Sequence, residues 1–158
     1  MSKPATSIPL AVWLTDPVVP CWTLNARQFR RLKAELPRAR IVACRSAEAF
    51  RRALPRARVA AVWVFRPDWL AQAPQLEWIA TPAAGRDYFQ VARPGLDITY
   101  GSFHGRIMGE TVAAMVLAVN RGLLANQRAQ AAGNFWPRDA LAGVMRTLAG
   151  THAVILGF

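Results

Sequence analysis

Short runs of β-branched and aromatic residues alternate with helical segments that end at prolines, and this alternation constrains the fold more than any other feature. Residues 10–14 read as a buried strand. A helix over about 25–36 follows, with Asn25 as N-cap, Phe29, Leu32 and Leu36 on one face, and Pro37 as its stop. Residues 40–44 form a second strand. Ser46 caps a helix that runs to about Leu54 and ends at Pro55. Residues 59–65 form the third strand, 67–71 a helical turn, 76–80 a fourth strand and 97–100 a fifth. Strands separated by helices of this size predict βαβ units, and right-handed crossovers make a doubly wound parallel sheet the economical α/β architecture.

Beyond the fifth strand the pattern changes. Residues 109–124 read as a long apolar helix carrying Val112, Met115, Val116 and Val119, and 125–132 as a second helix broken by Gly133, Trp136 and Pro137. Residues 151–156 read as a new buried strand that needs neighbours for its edge hydrogen bonds. It is expected to open a further sheet rather than to join the first.

Composition excludes several classes. Hydrophobic residues make up 53% and charged residues 18%, so the chain carries a packed core and is not disordered. Cys21 and Cys44 stand in no CxxC or CxxH spacing and read as buried or incidental thiols, as fits a cytoplasmic protein. No run approaches the roughly 18 apolar residues of a membrane span, and residues 1–7 carry no secretory signal pattern. Lys and Arg number 20 against 9 Asp and Glu, giving a formal charge of +11. The arginines are scattered among Ala, Leu and Pro rather than gathered in a basic tail. A solvated arginine surface is therefore favoured over a polyanion site, with a basic face that merely attracts an anionic substrate as the third reading.

Few residues carry evident chemistry. The loop Thr81-Pro82-Ala83-Ala84-Gly85-Arg86-Asp87 follows the fourth strand, and ligands in such sheets gather at strand carboxyl ends. Its small residues let backbone amides approach an anion closely. A glycine after a strand is also an ordinary turn. His104 and His152 have no evident carboxylate partner, and Glu110 has a sufficient explanation as a first-turn carboxylate facing a helix dipole. No Ser-His-Asp set, metal-ligand cluster or phosphate loop is present, so no metal site and no catalytic residue is assigned.

Several segments together resemble the D-isomer-specific 2-hydroxyacid dehydrogenases, including glyoxylate and hydroxypyruvate reductases. They are Leu76-Glu77-Trp78-Ile79 leading into Ala84-Gly85-Arg86-Asp87, Gly105 through Glu110 opening Thr111-Val112-Ala113-Ala114-Met115, then Arg121-Gly122 and Asn134-Phe135-Trp136. The run from Leu148 to Gly157-Phe158 is similar to the lead-in to the family's GxGxxG loop. The resemblance implies a flavodoxin-like substrate domain over 1–103, interdomain and dimerisation helices over 104–146, and the first strand of a truncated Rossmann domain over 147–158. It implies a small 2-oxo or 2-hydroxy acid as substrate, NAD or NADP as cofactor, and a homodimer. By the same resemblance, Ala84 and Gly85 bind the substrate carboxylate through their amides, and Met108 and Gly157 lie at the cofactor. The family's catalytic arginine, acid and histidine match nothing in this chain. The expected product is therefore the N-terminal fragment of an NAD(P)-dependent oxidoreductase that is not catalytically complete by itself. The alternatives are a non-catalytic binding or dimerisation module of the same fold, or a basic nucleic-acid-binding protein.

Overall fold

The computed structural model describes residues 7–156, which divide into two compact units, one through Ser102 and one from Phe103. In the first unit, strands β1 (Ile8–Trp13), β2 (Ala39–Ala43), β3 (Val59–Val62), β4 (Trp78–Ala80) and β5 (Asp97–Thr99) form one sheet. Every pairing is parallel and the order is β2-β1-β3-β4-β5. The chain thus winds outward from β1 to one edge and then returns past it to the other. Helices α1 (Ala26–Glu35), α2 (Ala47–Ala53) and the short α3 (Pro67–Leu70) make the first three crossovers, and the loop 81–96 makes the fourth without a helix.

Register explains which face holds the core. Ala11, Ala60, Ile79 and Ile98 are in-register neighbours across β1, β3, β4 and β5, so their side chains share a face. The first three are buried on it. Trp13, on the same face, stacks on Phe50 of α2 with ring centres 5.6 Å apart and meets Trp69 of α3 at 5.7 Å. Phe65 closes the cluster against Phe50 and Trp69 at 6.2 and 5.8 Å, edge-on to both. Right-handed crossovers place α1 over the opposite face, where its Phe29 shares a cleft with Val12 and Leu14. No residue of α1 is buried. That helix is held at its start instead: Asn25 Oδ1 accepts from Gln28 N, and Gln28 Oε1 accepts from Asn25 N, both at 2.9 Å. Ser46 caps α2 in the same way through Ala49 N.

The second unit holds α4 (His104–Asn120), α5 (Leu123–Ala131) and the short α6 (Arg138–Leu141). α4 and α5 meet at a 64° bend, and no single helix among the described residues is long and apolar enough to cross a membrane. Gly122 makes the bend with φ +61°. A β-carbon there would press on Leu141 and Val144 at 3.3 Å.

Three expectations are corrected here. Residues 151–156 form no strand: a turn in which Thr151 N donates to Leu148 O leads into exposed coil. Extended residues become a strand only when a neighbour takes their hydrogen bonds, and among the described residues this segment has no ladder partner. α4 begins at His104 rather than 109, because Gly105 and Gly109 lower helix propensity without ending a helix. Glu110 is consequently past the first turn, where it pairs with Arg106 at 3.9 Å instead of facing the helix terminus. α6 is an addition: Pro137 opens a helical turn with Asp139 in it, where a break alone was expected. Gly157 lies outside the described residues.

Candidate functional site

The loop after β4 is built to hold two backbone amides open. Thr81, buried at the carboxyl end of β4, donates its N–H to Thr99 O at 2.9 Å. Its hydroxyl accepts from Ala83 N at 3.1 Å, and Ala83 O accepts from Gly101 N at 2.9 Å. The chain is therefore pinned on both sides as far as Ala83. Ala84 and Gly85 come next and are exposed. Among the described residues neither of their amides donates to a protein acceptor. The loop is pinned again where Phe89 N donates to Arg86 O at 3.0 Å and the Phe89 ring enters the core. Two consecutive backbone N–H donors without a protein acceptor among the described residues thus stand at the carboxyl end of a strand, where ligands of such sheets gather.

The charges around these two amides come from their own loop. The Asp87 carboxylate folds back toward Gly85, with Oδ2 3.4 Å from where a Gly85 β-carbon would stand. The Arg86 guanidinium lies over the Tyr100 ring, 5.5 Å from its centre. Tyr100 packs edge-on against Phe89 at 5.8 Å. Sequence patterning singled out Ala84 and Gly85 but passed over Arg86 and Tyr100. Their pairing joins β5 to the loop after β4, and no local motif encodes it.

The other residues of interest stand in the second unit. Met108 is an exposed residue of α4, 62% accessible. His104 begins α4 and stacks on Phe103 at 4.2 Å, and its Nδ1 is buried without a partner. His152 is exposed coil. Among the described residues no three His, Cys, Asp or Glu side chains converge on a metal position. Of the two cysteines, Cys44 is buried, which pushes its thiol pKa up, while Cys21 is exposed. A dinucleotide requires a strand, a glycine loop and a helix N-terminus behind it. The coil at 151–156 supplies none of these among the described residues.

No family model matches the sequence, and no curated protein matches it. Solved structures do. A D-isomer specific 2-hydroxyacid dehydrogenase family protein from Aeromonas salmonicida aligns over 82% of this chain and 41% of its own, with 25% identity and a TM-score of 0.62. A D-isomer specific 2-hydroxyacid dehydrogenase from Xanthobacter autotrophicus, solved with NADPH and MES, aligns over 84% and 41% with 22% identity and a TM-score of 0.59. An NAD-dependent formate dehydrogenase from Staphylococcus aureus, solved with NAD, aligns over 89% and 46% with 14% identity and a TM-score of 0.62. The chain thus resembles D-isomer specific 2-hydroxyacid dehydrogenases, and it spans less than half the length of each of these three structures, as fits an N-terminal part.

Proposed function

We propose that this chain supplies the substrate-binding half of an NAD(P)-linked oxidoreductase acting on a small 2-oxo or 2-hydroxy acid. The observation that carries the proposal is the pair of unpaired amides at Ala84 and Gly85, presented by a loop fixed on both sides. They bind the substrate carboxylate and so orient the carbon beside it, without a charged side chain having to be desolvated. The sheet order β2-β1-β3-β4-β5 supports a flavodoxin-like substrate domain over 1–103. On this reading 104–146 are interdomain and dimerisation helices, 147–158 begin the cofactor domain, and Met108 and Gly157 would be the residues of this chain at the cofactor. NAD or NADP, held by further chain, would supply the hydride chemistry. This chain positions the acid and has no residue assigned to the proton transfer. The protein acts in the cytoplasm.

The test is an amide-resolved NMR titration of the ¹⁵N-labelled chain with glycolate and, separately, with the neutral analogue glycolamide. Saturable shifts at Ala84 and Gly85 with glycolate alone are the expected result. Glycolate shifts spread over the arginine surface with those two amides unmoved would sink the proposal.

The alternative, a dimerisation or binding module of the same fold, draws on one observation. α4 exposes Met108, Val112, Met115 and Val119, each more than half accessible, at spacings of four, three and four residues.

A further inference from the structure

The loop that displays the Ala84 and Gly85 amides carries its own cation, and nothing in the proposed cradle requires it. Two backbone donors satisfy one carboxylate. Arg86, the next residue, forms no ion pair among the described residues, even with the adjoining Asp87. Its guanidinium is nonetheless placed. It rests over Tyr100, whose ring is fixed edge-on by the buried Phe89. No hydrogen bond from its N–H groups to a protein acceptor occurs among the described residues, so the fork is open to a ligand. Such a fork matches a carboxylate in bidentate geometry.

We infer that Arg86 binds a second carboxylate, so that the acid taken by this loop is a 2-oxo or 2-hydroxy dicarboxylate rather than a monocarboxylate. The inference rests on the cradle reading of Ala84 and Gly85. The Asp87 carboxylate beside Gly85 repels any anion at this loop, a dianion most, and Arg86 is the adjoining charge that offsets it. Arg86 is the cation in place. A monocarboxylate with an apolar tail gains nothing from the fork, whereas a diacid offers it a second carboxylate.

Lactate and malate are the probes, since they differ only by a carboxylate at the far end. Each is titrated at low ionic strength into the ¹⁵N-labelled chain and into its R86Q and R45Q variants, with the Ala84 and Gly85 amides as reporters. Malate is expected to bind tighter than lactate, by roughly three- to tenfold for a solvent-exposed charge pair. R86Q should remove that preference by weakening malate more than lactate, while R45Q, which alters the charge elsewhere, should leave the preference intact. Equal binding of the two acids by the parent chain overturns the inference. So does equal weakening of both by R86Q, which would assign Arg86 to the first carboxylate, or an R45Q effect as large as that of R86Q, which would assign the preference to the general basic field. If neither acid moves Ala84 or Gly85, the cradle reading itself fails, a result distinct from these.

Discussion

Glu77 and Arg58 show how a pair of side chains fixes neighbouring strands. Arg58 precedes β3 and Glu77 precedes β4. The guanidinium meets the carboxylate twice, at 3.0 Å from Nε and 2.6 Å from Nη2, while Glu77 N donates to Arg58 O. Hydrogen bonding from Arg58, followed by its charge, holds the Glu77 carboxyl below its ordinary range. The folded chain therefore keeps this site deprotonated at pH values where the unfolded chain has begun to protonate it. The resulting stability is complete above the unfolded carboxyl's pKa of about 4.3 and is lost as pH falls through the lower folded value. Glu77→Gln should lower the melting temperature at pH 7, modestly because both partners are exposed. As pH falls through that lower folded value the two proteins should converge. A difference that stays constant with pH in thermal denaturation would show that the pair contributes no proton-linked stability. At this scale the sequence was partly legible. The glycine in Ala84-Gly85 marks a loop where small residues leave amides open, but the Arg86–Tyr100 stack is a tertiary contact and had no local signal.

Helices α1 and α2 have similar caps and opposite burial. α1 has no fully buried residue, only Phe29 and Leu32 half-buried, and is held at its start by the Asn25–Gln28 capping box. α2 places Phe50 at the centre of the aromatic cluster, fully inaccessible. Asn25→Ala is expected to cost about 1 kcal/mol, felt first as faster hydrogen exchange in α1. Phe50→Ala should cost about 3–5 kcal/mol and move the global denaturant midpoint. If Asn25→Ala accelerated exchange throughout the sheet, α1 would be integral to the core, contrary to its exposure. Helix starts with a side-chain cap were legible because Asn25 and Ser46 bond to amides three residues on. The start of α4 was not, since Phe103 supplies no side-chain cap and two glycines interrupt the apolar pattern. The strand expected at 151–156 shows the same limit from the other side. Its residues have strand propensity, but strand formation depends on a partner, and composition cannot supply one.

At the scale of the molecule two properties oppose each other. The chain carries a formal charge of +11, which drives copies apart. α4 presents Met108, Val112, Met115 and Val119 along one stripe at 62, 55, 62 and 66% exposure, which draws apolar surfaces together. Salt separates the two, since it screens exposed charges beyond roughly 8 Å at 0.15 M and leaves apolar association intact. Self-association through this stripe should therefore strengthen as salt rises from low to physiological concentration, and Met115→Glu should return the chain to monomer at every salt concentration. Sedimentation equilibrium checks both. The nucleic-acid reading predicts the opposite salt dependence, because retention on DNA or RNA released with counterions weakens as salt rises. A chain that stayed monomeric at all salt concentrations would remove self-association through α4, and one that bound nucleic acid at moderate salt would reassign the charge from a solvated surface to a polyanion site.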